Sequence, residues 1–145
     1  MADEESTPRD DDAYIIRFDS AGARYCGLVA HDWWFRSIDC WRVNASLTTA
    51  MMTADSDGHY TAVLSLWDPG VHNWIDPDGL REILLIGRWQ GLAPGAATPV
   101  VEIRRVDFAE LASALPTKTV FVSDKERQHQ LEQRAAAFAR RLIEQ

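Results

Sequence analysis

Residues 41–48 have the sequence WRVNASLT and residues 59–67 the sequence HYTAVLSLW, with Asp55-Ser56-Asp57-Gly58 between them. The odd positions of the first segment are apolar, and so are positions 60, 62, 64 and 66 of the second. A period of two is typical of half-buried β-strands. Asp-Gly favours the positive backbone angles of a tight reversal. The two segments therefore predict a hairpin in a mainly β fold, with Trp41, Val43, Ala45 and Leu47 facing the core.

Four further segments have the composition of strands, being short, apolar and bounded by turn formers. One of them contains a continuous apolar run from Ile83 to Ile86, which is expected of a strand covered on both faces. The predicted strands are residues 13–18, 24–31, 82–90 and 98–106.

The C-terminal part of the chain has helical features. Ser123 and Glu126 form a capping-box pattern, and apolar residues then recur at helical spacing as far as Leu142. We expect a helix over 123–144, and a helical turn or two over 107–115. The fold class is therefore mainly β: an antiparallel β-sandwich of jelly-roll type or a partly closed barrel, with the C-terminal helix covering an edge or an open face.

Composition and charge limit the classes of function. A chain of 145 residues with 46% hydrophobic content predicts one domain, over 13–145. The net charge is −7, of which −5 lies in residues 1–12, which we expect to be a disordered acidic leader. The remainder is nearly neutral and has no basic stripe, so we expect no nucleic-acid partner. We also expect no membrane partner and a cytoplasmic location, since no stretch reaches the roughly 20 apolar residues of a membrane span.

Residues 67–79, WDPGVHNWIDPDG, contain turn formers, two tryptophans, a histidine and three acids. Such a loop either forms a site or only anchors itself. We expect Trp67 and Trp74, with Trp34, to wall a pocket for an apolar ligand. The alternative is that Trp74 packs on Trp33 or Trp34 and simply covers it.

A histidine beside a carboxylate acts as a general base near neutral pH. His72 would be that base and Asp76 its orienting carboxylate, while Arg88 and Asn73 would hold a developing negative charge. In the alternative, these groups only hold the loop in place, and Asp76 does so by pairing with Arg88 or Arg81. The remaining predicted substrate contacts are His31, Asp32 and Asn44.

Motifs for other chemistry are missing from the sequence. It has no metal-ligand spacing, no phosphate-binding glycine loop and no nucleophile elbow. We expect no metal and no cofactor. Cys26 and Cys40 lack the spacing of a redox or zinc site and are expected to be free thiols.

Several of these residues also form a recognisable pattern, made of Asp68-Pro69-Gly70, Asn73-Trp74-Ile75-Asp76, Gly79 and Arg88-Trp89. It resembles the core of the domain of unknown function numbered twelve-fourteen, and the likeness covers roughly residues 13–106, with the upstream stretch from Arg24 to Leu47 similar to that domain's entry strands. The chain departs from the pattern at Pro77 and Thr48. The resemblance implies a β-sandwich of jelly-roll character and no particular reaction. Members often form one half of longer chains, so the resemblance implies that this chain either acts alone or pairs with another subunit.

Two hypotheses follow. In the first, a β-sandwich binds an apolar small molecule beside the 67–79 loop and acts on it as a cofactor-independent isomerase, cyclase or lyase. In the second, it is a non-catalytic binding or oligomerisation module, or an accessory subunit. A homodimer is expected in either case, because a long exposed sheet edge pairs readily with itself.

Overall fold

The computed structural model describes residues 9–143. Within that range the chain is mainly β, with two sheets and a C-terminal helix, as predicted, and the sheets do not close into a barrel. The elements are β1 (Asp12–Phe18), β2 (Tyr25–His31), β3 (Ser46–Thr48), β4 (Tyr60–Ser65), β5 (Trp74–Ile75), β6 (Leu84–Gln90), β7 (Val101–Asp107), α1 (Leu111–Ala114) and α2 (Asp124–Ile143).

The four-stranded sheet has the order β5-β4-β1-β7, and the three-stranded sheet has the order β3-β2-β6. All pairs are antiparallel except β4 with β5. The main core lies between the sheets, where Ile16 and Phe18 of β1 belong to the same cluster as Leu28 of β2. A second cluster includes Ile15 of β1 and Leu111 of α1. Strand β1 is therefore buried on both faces.

The segment 41–48 is only partly a strand. Strand β3 is limited to residues 46–48, because the N–H groups of Arg42 and Val43 donate to the Asp39 carbonyl, both at 3.0 Å, and form a turn. Trp41, predicted to face the core, is 43% exposed and stacks on Phe138 of α2.

The predicted hairpin between the two alternating segments is wrong. The turn itself forms, since the Gly58 N–H donates to the Asp55 carbonyl at 3.0 Å. However, β3 and β4 belong to different sheets, so the turn carries the chain from one to the other. The physical reason is that β4 lies between β1 and β5 and has no free edge for β3.

Strand β6 is an edge strand, and its predicted coverage on both faces is also wrong. Leu84, Leu85 and Ile86 are half-buried, while Gly87 and Arg88 are exposed. Only β2 pairs with β6 in the described part of the chain, so its other edge has no strand neighbour there.

Helix α2 begins after the predicted capping box. The Ser123 hydroxyl and N–H both donate to the Glu126 carboxylate, at 2.8 and 2.7 Å, which confirms the cap. The apolar positions of the helix are poorly covered: Leu142 is 64% exposed, and Arg127 is the buried residue. The short helical segment predicted before Pro116 forms as a 3-10 turn followed by α1. Position 144 of the predicted helix lies outside the described residues.

Residues 1–8 of the predicted acidic leader also lie outside the described residues. Of the other four, Asp12 opens β1 and is buried, and Arg9 forms an ion pair with Asp107 at 2.6 Å. The described chain contains no helix long and apolar enough to cross a membrane.

Candidate functional site

The 67–79 loop is fixed by helix α2. The buried Arg127 guanidinium donates to the Asp68 carboxylate through Nε at 2.8 Å and through Nη2 at 3.0 Å. It also donates to the Val71 carbonyl, and its central carbon lies 5.1 Å from the centre of the Trp74 ring. This forked geometry holds two carboxylate oxygens at once, and lysine cannot reproduce it. We call these contacts of Arg127 the first clasp.

His72 lies within the same clasp. Its Nδ1 is 3.0 Å from the Asn73 Oδ1, and its backbone N–H donates to the Val120 carbonyl at 2.8 Å. The cleft beside its ring has a volume of about 20 Å³. That is room for about one water molecule. Neither a hydrogen bond nor an ion pair joins His72 to Asp76, both of which the structure describes.

Asn73 is buried, and its side-chain amide binds the backbone of two other residues. Its Nδ2 donates to the carbonyls of Thr53 and Thr61 at 2.9 and 3.0 Å, and its Oδ1 accepts the Thr53 N–H at 3.0 Å. An amide has two donors and one acceptor oxygen, so its groups are largely engaged by the backbone.

Asp76 and Arg88 lie on different parts of the fold. The Asp76 Oδ1 accepts the Asp78 N–H at 2.8 Å. Burial, reinforced by the charges of Asp78 and Asp68, raises the pKa of the Asp76 carboxyl. Arg88 is exposed on β6, opposite Gly27 of the three-stranded sheet. The structure therefore does not bring His72, Asp76 and Arg88 into one proton-transfer site.

The three tryptophans of the predicted wall differ in burial. Trp74 is 7% exposed, packs in the second core cluster and donates its Nε1–H to the Ser65 carbonyl at 3.1 Å. Trp67 and Trp34 are 61% and 79% exposed. Trp74 thus covers Arg127 and the core, rather than Trp33 or Trp34.

His31 and Asp32 shape a tight turn. The two ring nitrogens of His31 lie 3.2 Å from the Val29 carbonyl and from the Ser37 hydroxyl. The Asp32 Oδ1 accepts the N–H groups of Trp34 and Arg36 at 2.9 and 3.0 Å.

The charge of Asp32 is stabilised by these contacts. Desolvation opposes ionisation, but the hydrogen bonds from Arg36 and Trp34 and the Arg36 guanidinium hold the pKa of Asp32 below its ordinary value. The turn consequently displays Trp33, Trp34 and Phe35 towards solvent, all more than 60% exposed.

Asn44 belongs to a second set of contacts with α2, made by Arg134, which we call the second clasp. Its amide Nδ2 donates to the Trp74 carbonyl, and its Oδ1 accepts Nη2 of Arg134 at 2.5 Å. Arg134 also donates to the carbonyls of Cys40 and Ser46, at 3.1 and 2.5 Å. Because these partners are neutral, desolvation lowers the pKa of the Arg134 guanidinium.

A larger cavity lies between the two sheets. It is an open groove of about 390 Å³, within the usual range for small-molecule sites. The four-stranded sheet extends beyond the three-stranded one, which leaves Ile103 of β7 62% exposed. The lining is mostly apolar and includes Tyr14, Ile16, Trp33, Leu64, Leu85 and Ile103.

The polar groups at the groove are mostly engaged. Trp33 donates its Nε1–H to the Glu82 carboxylate at 2.8 Å, which holds the indole at the groove. Arg81 forms an ion pair with Asp10 at 2.8 Å, rather than with Asp76. The arrangement can take up an apolar molecule.

In the described range, no group of three His, Cys, Asp or Glu residues is placed to hold a metal ion. Cys26 and Cys40 are free thiols. Burial, with a smaller effect of Asp19, raises the pKa of Cys26 to about 11, so this thiol is protonated and unreactive at neutral pH.

No protein-family model and no curated protein matches the chain. The solved structures similar to it include two from bacteria. An uncharacterised protein of Burkholderia cenocepacia is 25% identical, with a TM-score of 0.62 over 71% of this chain and 28% of that one. A protein of Vibrio parahaemolyticus is 17% identical, with a TM-score of 0.50 over 67% of this chain and 27% of that one. The chain therefore spans little more than a quarter of the length of these structures, and the likeness concerns the fold.

Proposed function

We propose that this chain is a small-molecule-binding β-domain that holds an apolar ligand in the groove between its sheets. The observation that carries the proposal is the mostly apolar lining of a groove of about 390 Å³. Removing apolar surface from water stabilises a complex by roughly 25 cal/mol per Å² before the costs of association. Trp33, hydrogen-bonded to Glu82, gives the groove an aromatic side.

Acid/base catalysis has less support than binding. The cleft beside His72 has room for about one water molecule and does not admit an apolar substrate. The carboxylate at the groove, Glu82, accepts the Trp33 indole N–H. We therefore propose no role in isomerase, cyclase or lyase catalysis for His72, Asp76 or Arg88.

An association module is the second candidate function. Trp33, Trp34 and Phe35 project from a turn that the Asp32 carboxylate stabilises by accepting backbone hydrogen bonds. Exposed aromatic clusters are typical of partner-binding surfaces. The similar structures are more than three times as long as the part they share with this chain. Pairing with a further domain or subunit also agrees with the resemblance to the domain of unknown function twelve-fourteen.

Tryptophan fluorescence tests the binding proposal. We expect saturable quenching when the protein is titrated with terpenoid, steroid, polyketide and aromatic ligands. The change should be largely lost in Trp33→Phe, which removes the reporter at the groove. It should persist in the control Trp67→Phe, whose indole lies outside it. Quenching that persists in Trp33→Phe and disappears in Trp67→Phe would instead place the ligand at the 67–79 loop.

A further inference from the structure

The four-stranded sheet ends at β7, and no strand pairs with the outer edge of β7 within residues 9–143. The backbone groups of β7 have a defined direction. The Phe108 N–H, immediately after the strand, donates to the Asp11 carbonyl at 2.7 Å. Inward and outward groups alternate along an antiparallel strand. Residues 102, 104 and 106 therefore bond to β1, and residues 101, 103 and 105 direct their N–H and C=O groups outward.

The side chains of this edge are also accessible. Val101 and Ile103 are 42% and 62% exposed, on the face that looks towards the groove. Glu102 and Arg104 are exposed on the opposite face. An accessible edge strand with exposed apolar side chains at Val101 and Ile103 is a template for another strand, so this edge requires a partner or a device that blocks pairing.

We propose that β7 pairs antiparallel with β7 of a second copy of this chain, about a two-fold axis at Ile103. In this register Ile103 faces the same residue of the second copy, and Val101 faces Arg105. These are the residues whose N–H and C=O groups point outward, so the backbones form ladder hydrogen bonds without disturbing the pairing of β7 with β1.

Charge complementarity selects this register. It places Glu102 opposite Arg104 of the second copy, twice, at non-hydrogen-bonded positions where cross-strand side chains come closest. Moving the axis to Glu102 would place two glutamates opposite each other, and moving it to Arg104 would oppose two arginines. Arg104 donates one N–H to the Ala114 carbonyl at 2.8 Å, which leaves other guanidinium donors for the glutamate.

The consequence is a symmetric dimer with one continuous sheet of twice the width. The interface is isologous, because the same strand contributes both sides. It covers the exposed Ile103 and brings the two grooves next to each other. The inference does not depend on ligand binding, since Glu102 and Arg104 lie on the face away from the groove.

Sedimentation equilibrium of charge-reversal variants tests the register. We expect the wild type to dimerise, and Glu102→Lys and Arg104→Glu each to raise the dimer dissociation constant about tenfold or more, because like charges then face each other. An equimolar mixture of the two variants should dimerise about as tightly as the wild type, since opposite charges face each other again in the mixed dimer.

The control for charge alone is Arg88→Glu, an exposed change on β6, which should leave dimerisation unaltered. Wild-type protein that stays monomeric at every accessible concentration would overturn the proposal. So would a mixture that associates as weakly as each variant by itself.

Ile103→Pro tests the edge hydrogen bonds separately. Because the Ile103 N–H points away from β1, proline removes two bonds of the dimer and none of the fold. We expect a monomer whose circular dichroism spectrum matches that of the wild type. A folded Ile103→Pro protein that dimerises as tightly as the wild type would contradict the pairing.

Discussion

At the scale of single residues, Asn73 stabilises the fold through its amide. Replacing it with alanine leaves the buried Thr61 carbonyl, and the part-buried carbonyl and N–H of Thr53, without this partner. We expect Asn73→Ala to lower the free energy of unfolding by roughly 2–3 kcal/mol, since each unsatisfied buried group costs about 1–3 kcal/mol. Urea denaturation measures the loss. The control is Gln128→Ala on the exposed side of α2. Equal stability of both variants would show that the Asn73 amide does not stabilise the fold.

Asp76 makes the stability of the fold depend on pH. Burial raises its pKa in the folded chain, so the folded state binds the proton more tightly than the unfolded state does. The contribution is favourable below the unfolded pKa and is lost as pH rises through the raised folded pKa. Asp76→Asn keeps the oxygen that accepts the Asp78 N–H and removes the charge. The variant should therefore gain stability relative to the wild type as pH rises from the unfolded pKa through the raised folded pKa, and keep that gain at higher pH.

Thermal unfolding across that pH range checks this expectation. Asp39→Asn, an exposed carboxylate beside Arg42, serves as the matched control. A stability difference between Asp76→Asn and the wild type that shrinks as pH rises would show that the Asp76 carboxyl is not destabilised by burial.

At the scale of elements, α2 is attached by arginines rather than by an apolar face. Arg127 and Arg134 are seven residues apart and therefore on one side of the helix, where they bind the loop at Asp68 and the backbone at Cys40 and Ser46. Phe138 has a ring partner in Trp41, and both remain partly exposed. The polar clasps are therefore the main attachment of α2.

Removing the first clasp should release the helix. Arg127→Met leaves the Asp68 carboxylate and the Val71 carbonyl without the guanidinium. We expect a loss of about 2–3 kcal/mol, below the 3–5 kcal/mol of a fully buried pair because Asp68 is partly exposed. Arg127→Lys should lose most of the same amount, because ammonium cannot bond both carboxylate oxygens in fork geometry.

Urea denaturation and hydrogen exchange of α2 provide the measurement. Arg140→Met in the last turn is the control, since this arginine is exposed. If Arg127→Met and Arg140→Met unfold at the same urea concentration, the clasp contributes nothing to docking.

Local signals were sufficient to predict most elements. Strand β1 and the capping box of α2 follow from β-branched and aromatic composition and from Ser123 with Glu126. The pairing of β4 with β1 does not follow, because alternation shows that a strand has two unlike faces but not which strand lies beside it. Helical periodicity likewise identifies apolar stripes, so it could not show that Arg127 would be the buried residue of α2.

At the scale of the whole molecule, the predicted site was centred on the 67–79 loop, whereas the groove is assembled from both sheets. Tyr14, Leu64 and Leu85 belong to three strands distant in sequence, and only the topology brings them together. The alternation of β4 was visible in the sequence, but the uncovered region between the two sheets was not. The side chains of the loop stabilise the fold: Asn73 binds the backbone of Thr61, and Trp74 packs in the core.

Isothermal titration calorimetry of apolar ligands against the wild type, Leu85→Phe and His72→Ala tests the central claim most directly. Leu85→Phe adds volume at the groove, where Leu85 is half-buried, whereas His72→Ala changes a side chain outside it. We predict that Leu85→Phe weakens binding at least about tenfold by filling the space and that His72→Ala leaves affinity unchanged. Unchanged binding by a folded Leu85→Phe, together with lost binding by His72→Ala, would contradict binding in the groove. It would indicate instead that the ligand binds at the 67–79 loop.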